Sequence, residues 1–327
     1  MKSLQVREFG EPVNVLRFCD AEIPQPAVGQ VLVRVLASAA NFPDVLMCRG
    51  QYQEKPDFPF TPGIEVCAEI VALGRGVEDL RLGDRVVGSP LLPTGGFGEF
   101  ALMDAALTFP APVSLDDAQA SAFYIGYQTG WFALHRRISI QPGQTLLVHA
   151  AAGGVGSAAV QLGKAAGATV IGVVGRTEKI DVVRQLGADA VIDRNNENFV
   201  EMVKELTDGR GADVIFDPVG GDTYTQSTKC VAFEGSILVI GFAGGEIQSA
   251  ALSHALVKNY AIVGLHWGLY RSKNPSEVLH CHKELTRLAD AGLVAPLISQ
   301  RLTLPEIPEG LQRLANGDTI GRIAYVA

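Results

Sequence analysis

GQTLLVHAAAGGVGSAAVQLGK, residues Gly143–Lys164, decides the fold. Leu146–His149 reads as a buried strand, Ala150–Gly156 as a glycine-rich turn, and Ser157–Gly163 as an Ala-rich helical run. A strand that empties through glycines into a helix presents backbone N–H groups beside the positive end of the helix dipole, which is a seat for a pyrophosphate. Glycines suit the turn because a Cβ would hold the phosphate off the backbone. The spacing is Ala151-x-Gly153-x-x-Gly156, with alanine in place of the first fingerprint glycine. Working outward, Thr169–Val174 supplies the second strand of a βαβ unit, and Ala190–Asp193, Val214–Asp217, Ile237–Gly241 and Ala261–Val263 continue the rhythm. Six such strands alternating with helical segments predict a doubly wound parallel sheet of the Rossmann type.

The same stretch says which dinucleotide is expected. An NAD site usually carries an acid about 20 residues past the glycines, to take the ribose hydroxyls. Gly175 stands at that place, followed by Arg176 and, beyond Glu178, Lys179. A small residue with cations nearby suits a 2′-phosphate. Arg194, after the third strand, adds charge or stacks on adenine. The competing reading of Arg176, Lys179 and Arg194 is ordinary solvated surface. NADPH is the expected cofactor, with Ala152, Gly153, Gly154 and Val155 in the phosphate turn.

The chain has 327 residues and a formal charge of −8. That length favours two domains over one large core, and the acidic balance argues against a nucleic-acid partner. Five scattered cysteines with no CxxC pair fit reduced cytoplasmic thiols. No signal core or run of 18 apolar residues is present, so no membrane association is expected. Residues 1–123 show short β-like runs (Val31–Val35, Val66–Leu73, Arg85–Gly88, Gly98–Leu102) split by Pro, Gly and Asp turns, the pattern of an irregular antiparallel β-barrel. Helical periodicity returns in Val278–Leu288, followed by strand-like Leu297–Leu304 and Ile323–Val326. The expected division is 1–123 with 265–327 as one domain and 124–264 as the dinucleotide-binding domain.

The glycine turn with Gln161 and Lys164, together with Asn41-Phe42-Pro43-Asp44, Arg49-Gly50-Gln51-Tyr52, Pro62-Gly63-Ile64-Glu65, Gly83-Asp84-Arg85-Val86, Asp217-Pro218-Val219-Gly220-Gly221 and Gly241-Phe242-Ala243-Gly244-Gly245, resembles the quinone oxidoreductase/ζ-crystallin branch of the medium-chain dehydrogenase/reductase superfamily. The resemblance spans essentially the whole chain. It implies a GroES-like first domain, a Rossmann second domain and a homodimer. It also implies that Asn41 lies near nicotinamide and substrate and that Phe42 borders the cofactor. Tyr52 is either a proton donor or a cleft-lining ring. Thr129 is placed by the resemblance at the nicotinamide–ribose, against the alternative of a helix-cap hydroxyl. Val219, Gly241, Phe242, Ala243, His266 and Trp267 are implied to line the cofactor. Arg322, where relatives carry lysine, is implied to reach a cofactor phosphate, or is a surface charge.

Relatives that use zinc hold it with Cys, His and Cys, and the matching positions here are Asn41, Ile64 and Ile125. Two isoleucines cannot bind zinc. His280-Cys281-His282 falls on a helix, where i and i+2 diverge, so no metal is expected. Without a Lewis acid to stabilise an alkoxide, an electron-poor acceptor is the expected partner: a quinone, or an enone, enal or enoyl thioester whose C=C bond is reduced. The third reading is a non-catalytic NADPH-binding protein.

Overall fold

Gln30–Ala39 buries Val31, Val33 and Val35 while Arg34 points outward, the two-residue period of a strand with one face on a core. The computed structural model describes all 327 residues. Its first compact unit, Met1–Ile125 with Ala295–Ala327, contains β1 (Lys2–Val6), β2 (Leu16–Asp20), β3 (Gln30–Ala39), β4 (Val66–Leu73), β5 (Arg85–Gly88), β6 (Phe100–Asp104) and β7 (Phe109–Pro110). The second unit, Gly126–Val294, contains β8 (Thr145–Val148), β9 (Thr169–Val174), β10 (Ala190–Asp193), β11 (Ala212–Asp217), β12 (Val231–Val239) and β13 (Ala261–Gly264). The chain then returns to the first unit with β14 (Ile298–Leu302) and β15 (Arg322–Val326).

In the first unit a sheet runs β14-β15-β3-β4-β5-β7, with β6 also paired to β3. Its apolar face closes on Val33, Val35, Val66, Ile70, Phe97 and Met103. The pairing of the last strand is decisive for the site. β15 lies antiparallel to β3 with Ala324 opposite Ala39, and two residues further along that register put Arg322 opposite Asn41. β3 also pairs with β4, Ser38 opposite Val66, so Glu65 enters beside Ala39. Three strand ends therefore converge at one point of the sheet.

In the second unit the sheet order is β10-β9-β8-β11-β12-β13, with every pairing parallel. This is the doubly wound arrangement expected from the sequence, with its topological switch beside β8. The helix after the glycine turn runs Gly154–Ala165 and starts inside the glycines, earlier than the composition suggested. β12 is also longer than expected: Val231 opens it, and the register slips between Ala212 and Val214. The boundary near residue 265 is corrected. The helix Pro275–Asp290 stays with the second unit and sets His280 edge-on to Trp131, and the return comes at Ala295. An amphipathic helix goes wherever its apolar stripe is covered, and the sequence of the stripe alone does not name the cover.

His149, just past β8, is buried and bonds Ser227 Oγ through Nε2 at 2.8 Å. The Ser227 hydroxyl donates to Thr223 O, so Ser227 accepts and His149 carries its proton on Nε2. Burial, with Arg194 adding a smaller repulsion, pushes His149 down to about 3. A base depressed in the folded state contributes stability that is complete above its unfolded value of about 6.5 and is lost as pH falls toward 3. Between pH 7 and 5 the wild type should lose about 2 kcal/mol more than His149→Gln, which keeps the donor and cannot titrate. Urea unfolding at the two pH values measures this, and parallel losses in both proteins would refute it.

Candidate active site

At the converging strand ends of the first unit, Arg322 Nη2 donates to Asn41 Oδ1 at 2.8 Å and to Glu65 Oε2 at 2.7 Å. Asn41 Nδ2 donates to Glu65 Oε2 at 3.0 Å and to Ala39 O at 3.1 Å. Glu65 Oε1 takes the Ile125 N–H at 2.7 Å. Glu65 is fully buried and Arg322 is 5% exposed. Of the two readings of Arg322, this excludes the surface charge: the arginine is an internal group whose Nη2 bonds Asn41 and Glu65. Its burial follows from the β15–β3 register, which a linear reading does not supply.

Asn41 precedes the helix Phe42–Cys48, and its backbone N–H donates to Asp44 Oδ2 at 2.8 Å. Asp44 Oδ1 also takes Gly63 N and Ile64 N, so one buried carboxylate ties the helix start to the Pro62–Glu65 turn. Burial pushes the Asp44 carboxyl up to about 7, against the pull of those backbone donors. Phe42 is half-buried. Tyr52, also half-buried, packs its ring on the core of this unit. The positions aligned with zinc ligands present an amide already engaged at Asn41 and the apolar side chains of Ile64 and Ile125. These donors do not fit a zinc ion.

In the second unit, Ser157 N bonds Gly153 O at 2.9 Å as the helix begins. The N–H groups of Gly154, Val155 and Gly156 precede that bond and belong to the helix turn that has no intrahelical acceptor. A Cβ at Gly156 would sit 2.1 Å from Ala150 O, so only glycine lets the turn close under the helix. Ala151 and Ala152 are buried beneath it. At the end of β9, a Cβ on Gly175 would meet Arg194 Nε at 3.4 Å, which places that guanidinium directly against the glycine. Arg176 is exposed, 4.0 Å from Glu178, and Lys179 is half-buried. The structure thus brings Gly175 and Arg194 together. It also shows what holds the rim: Asp193 accepts from Thr177 Oγ1 and Asn196 Nδ2, and Asn195 donates to Gly175 O. The Thr177 hydroxyl, first among these donors, keeps the Asp193 carboxyl below its usual range. Beyond Arg194 a hollow of about 360 Å³ continues past Phe199 to Asp222 and Gln226. These groups suit a dinucleotide with a phosphorylated ribose.

Further along the carboxyl edge, Ala243 N and Gly244 N bond Pro218 O and Val219 O, which knits the loop after β12 to the loop after β11. Phe242 is partly exposed above Gly220, and Gly241 lies against Pro218 O. Buried Asp217 caps the first of these loops through Val219 N and Gly220 N, and burial raises its carboxyl. Thr129 is buried on the helix Tyr124–Trp131. Its neighbour Gln128 accepts the Trp267 indole N–H at 3.0 Å, so Trp267 braces the loop after β13 while His266 stays exposed. Glu65, Asp44, Gln128 and Asn195 were not singled out from the sequence. The Pro-Gly-Ile-Glu segment held the one available signal, an acid inside an otherwise apolar approach to a strand.

Comparisons with known proteins agree with both units. Residues 27–113 match the alcohol dehydrogenase GroES-like domain, and residues 154–283 match the zinc-binding dehydrogenase family. A quinone oxidoreductase-like protein 2 homolog from Nematostella vectensis is 39% identical over 98% of this chain and 88% of its own length. The Bos taurus quinone oxidoreductase-like protein 2 is 33% identical over 90% and 84%. The structure of Escherichia coli quinone oxidoreductase complexed with NADPH superposes with a TM-score of 0.93 at 27% identity, covering 100% of each chain.

Gly175→Asp tests the cofactor rim. The new side chain meets Arg194 at ordinary contact distance, so the fold should persist while the carboxylate neutralises the cation and repels a 2′-phosphate. NADPH binding should weaken at least tenfold, about 1.4 kcal/mol, with NADH little changed. Arg176→Ala should chiefly raise the KM for NADPH. Fluorescence titration of both nucleotides reads the first effect, and equal weakening would remove Gly175 from the 2′ position.

Proposed function

The chain belongs to the quinone oxidoreductase-like branch of the medium-chain dehydrogenase/reductase superfamily, and from that premise we propose an NADPH-dependent, zinc-independent reductase of quinones. The observation that carries this reading is the donor set at Asn41, Ile64 and Ile125, which cannot assemble a Lewis acid. Oxidation of an alcohol needs an alkoxide stabilised, and no group at those positions does so. A quinone is already electron-poor and takes hydride without that help. NADPH, when bound, supplies the hydride.

The remaining work falls to side chains. The Gly154–Gly156 N–H groups and the dipole of the Gly154–Ala165 helix receive the pyrophosphate. Arg194 and Arg176, with Lys179 behind them, receive the 2′-phosphate beside Gly175. Thr129, Val219, the Gly241–Ala243 loop, His266 and Trp267 orient the nicotinamide half. Asn41 faces the reacting groups, Phe42 borders the cofactor, and Tyr52 lines the acceptor. The role of Arg322 is to hold Asn41 rather than a phosphate.

Two features support a homodimer. β13 is a free edge of the six-stranded sheet, and Leu252, Leu256 and Val257 expose a run of apolar surface on the neighbouring helix Leu252–Lys258. No helix is long and apolar enough to cross a membrane. All five cysteines are free thiols, which suits a reducing cytoplasm.

NADPH oxidation at 340 nm should be accelerated by 1,4-benzoquinone or 9,10-phenanthrenequinone and be unaffected by chelator. Preference for an enone, enal or crotonyl-CoA would instead assign C=C reduction, and binding without turnover would assign a non-catalytic role. Tyr52→Phe should lower kcat about tenfold or more if the hydroxyl donates a proton, and leave it near wild type if the ring alone matters. Leu256→Asp with Val257→Lys should convert the dimer to monomer in light scattering.

A further inference from the structure

We infer that the buried Glu65–Arg322 ion pair is a positioning device that fixes the Asn41 amide as a hydrogen-bond acceptor only, so that the group Asn41 touches must bring an N–H or O–H of its own. The inference rests on the reading of Asn41 as the residue facing the reacting groups, and deepens it.

A guanidinium has donors and no acceptor, so the amide atom 2.8 Å from Arg322 Nη2 must be the oxygen. The amide nitrogen then faces Glu65 Oε2 and Ala39 O, and these two acceptors take both of its protons. A flipped amide would set N–H groups against the guanidinium and oxygen against the carboxylate, losing all three bonds. The flip is therefore decided by the partners' chemistry. Backbone anchoring closes the remaining freedom, since Asn41 N is held by Asp44. The lone pair left to Asn41 for any further partner lies on Oδ1, beside the Asp44 backbone N–H of the helix's capping box. The carbonyl oxygen of an oxidised quinone has no proton to offer that lone pair. A carboxamide N–H, a ribose hydroxyl or the hydroxyl of a reduced product does.

The test reads the amide itself. In full-length protein labelled with 15N-asparagine, Asn41→Ala identifies the side-chain resonance. Both Nδ2 protons should exchange with solvent about tenfold or more slowly than an exposed amide, before and after addition of NADP+ or of a quinone. Arg322→Met should abolish that protection and lower kcat about tenfold with little change in the KM for NADPH, and Arg322→Lys should restore most of both. Glu65→Gln, which keeps the shape and removes the charge, serves if the methionine variant does not fold. An NADPH analogue with 3-acetylpyridine in place of the carboxamide lacks the N–H, and a loss of kcat/KM that Asn41→Ala does not deepen would identify the carboxamide as the donor. A loss that Asn41→Ala deepens as it does with NADPH would leave the hydroxyls as the donor. An Nδ2 proton that is unprotected in the free protein and becomes protected when a quinone binds would overturn the inference. So would unchanged kcat in an Arg322→Met protein whose amide protection is gone. Unchanged turnover in Asn41→Ala would sink the functional reading of Asn41 and with it the positioning role, while the exchange rates still report the orientation.

Discussion

A positive charge that cannot reach water needs a partner, and in this protein that requirement organises the first unit. Arg322 and Glu65 are both buried and lie 2.7 Å apart. Removing one member of such a pair leaves an uncompensated charge at a cost of about 3–5 kcal/mol, although a well-packed apolar pair would serve stability as well. The pair is thus better understood through what it orients. It joins the ends of β15, β3 and β4, and the Asn41 amide is clamped where they meet. Asp44 repeats the device one turn away, with a buried carboxylate that collects three backbone N–H groups from Asn41, Gly63 and Ile64. Between them the two acids fix both the backbone and the side chain of one asparagine.

The second unit solves a different problem, the tight passage of the backbone from β8 into the helix Gly154–Ala165. Its answer is steric: the turn at Ala150–Gly156 closes only because Gly156 has no Cβ. The carboxyl end of β9 is held by polar contacts, with Asp193 occupied by Thr177 and Asn196 and Asn195 bonded to Gly175 O. An acid is therefore present near Gly175, but its oxygens are spent on the loop. Arg194 is left as the charge against Gly175.

The Rossmann strands were legible because parallel strands buried on both faces are near-continuous apolar runs, and Thr145–Val148 and Thr169–Val174, with the glycine turn between them, show that directly. The barrel strands were legible to within a few residues for a related reason, the Gly and Asp turns that bound them. Ends were harder. The helix after the glycines begins at Gly154 because glycine's poor propensity is overruled by packing, and β12 starts at Val231 because pairing to β11 extends it. The segment 265–294 was misplaced since its apolar stripe fits any cover.

The sequence by itself determined the two kinds of domain, the family, the glycine turn between β8 and its helix and the apolar side chains at Ile64 and Ile125. Each depends on local pattern or on the chemistry of one residue type. Only the tertiary structure decided what Arg322 does. Asn41, Glu65 and Arg322 are separated by up to 281 residues along the chain, and their meeting is a product of strand register. Register depends on which faces are buried together across non-local strands, and no reading of neighbours along the chain contains it.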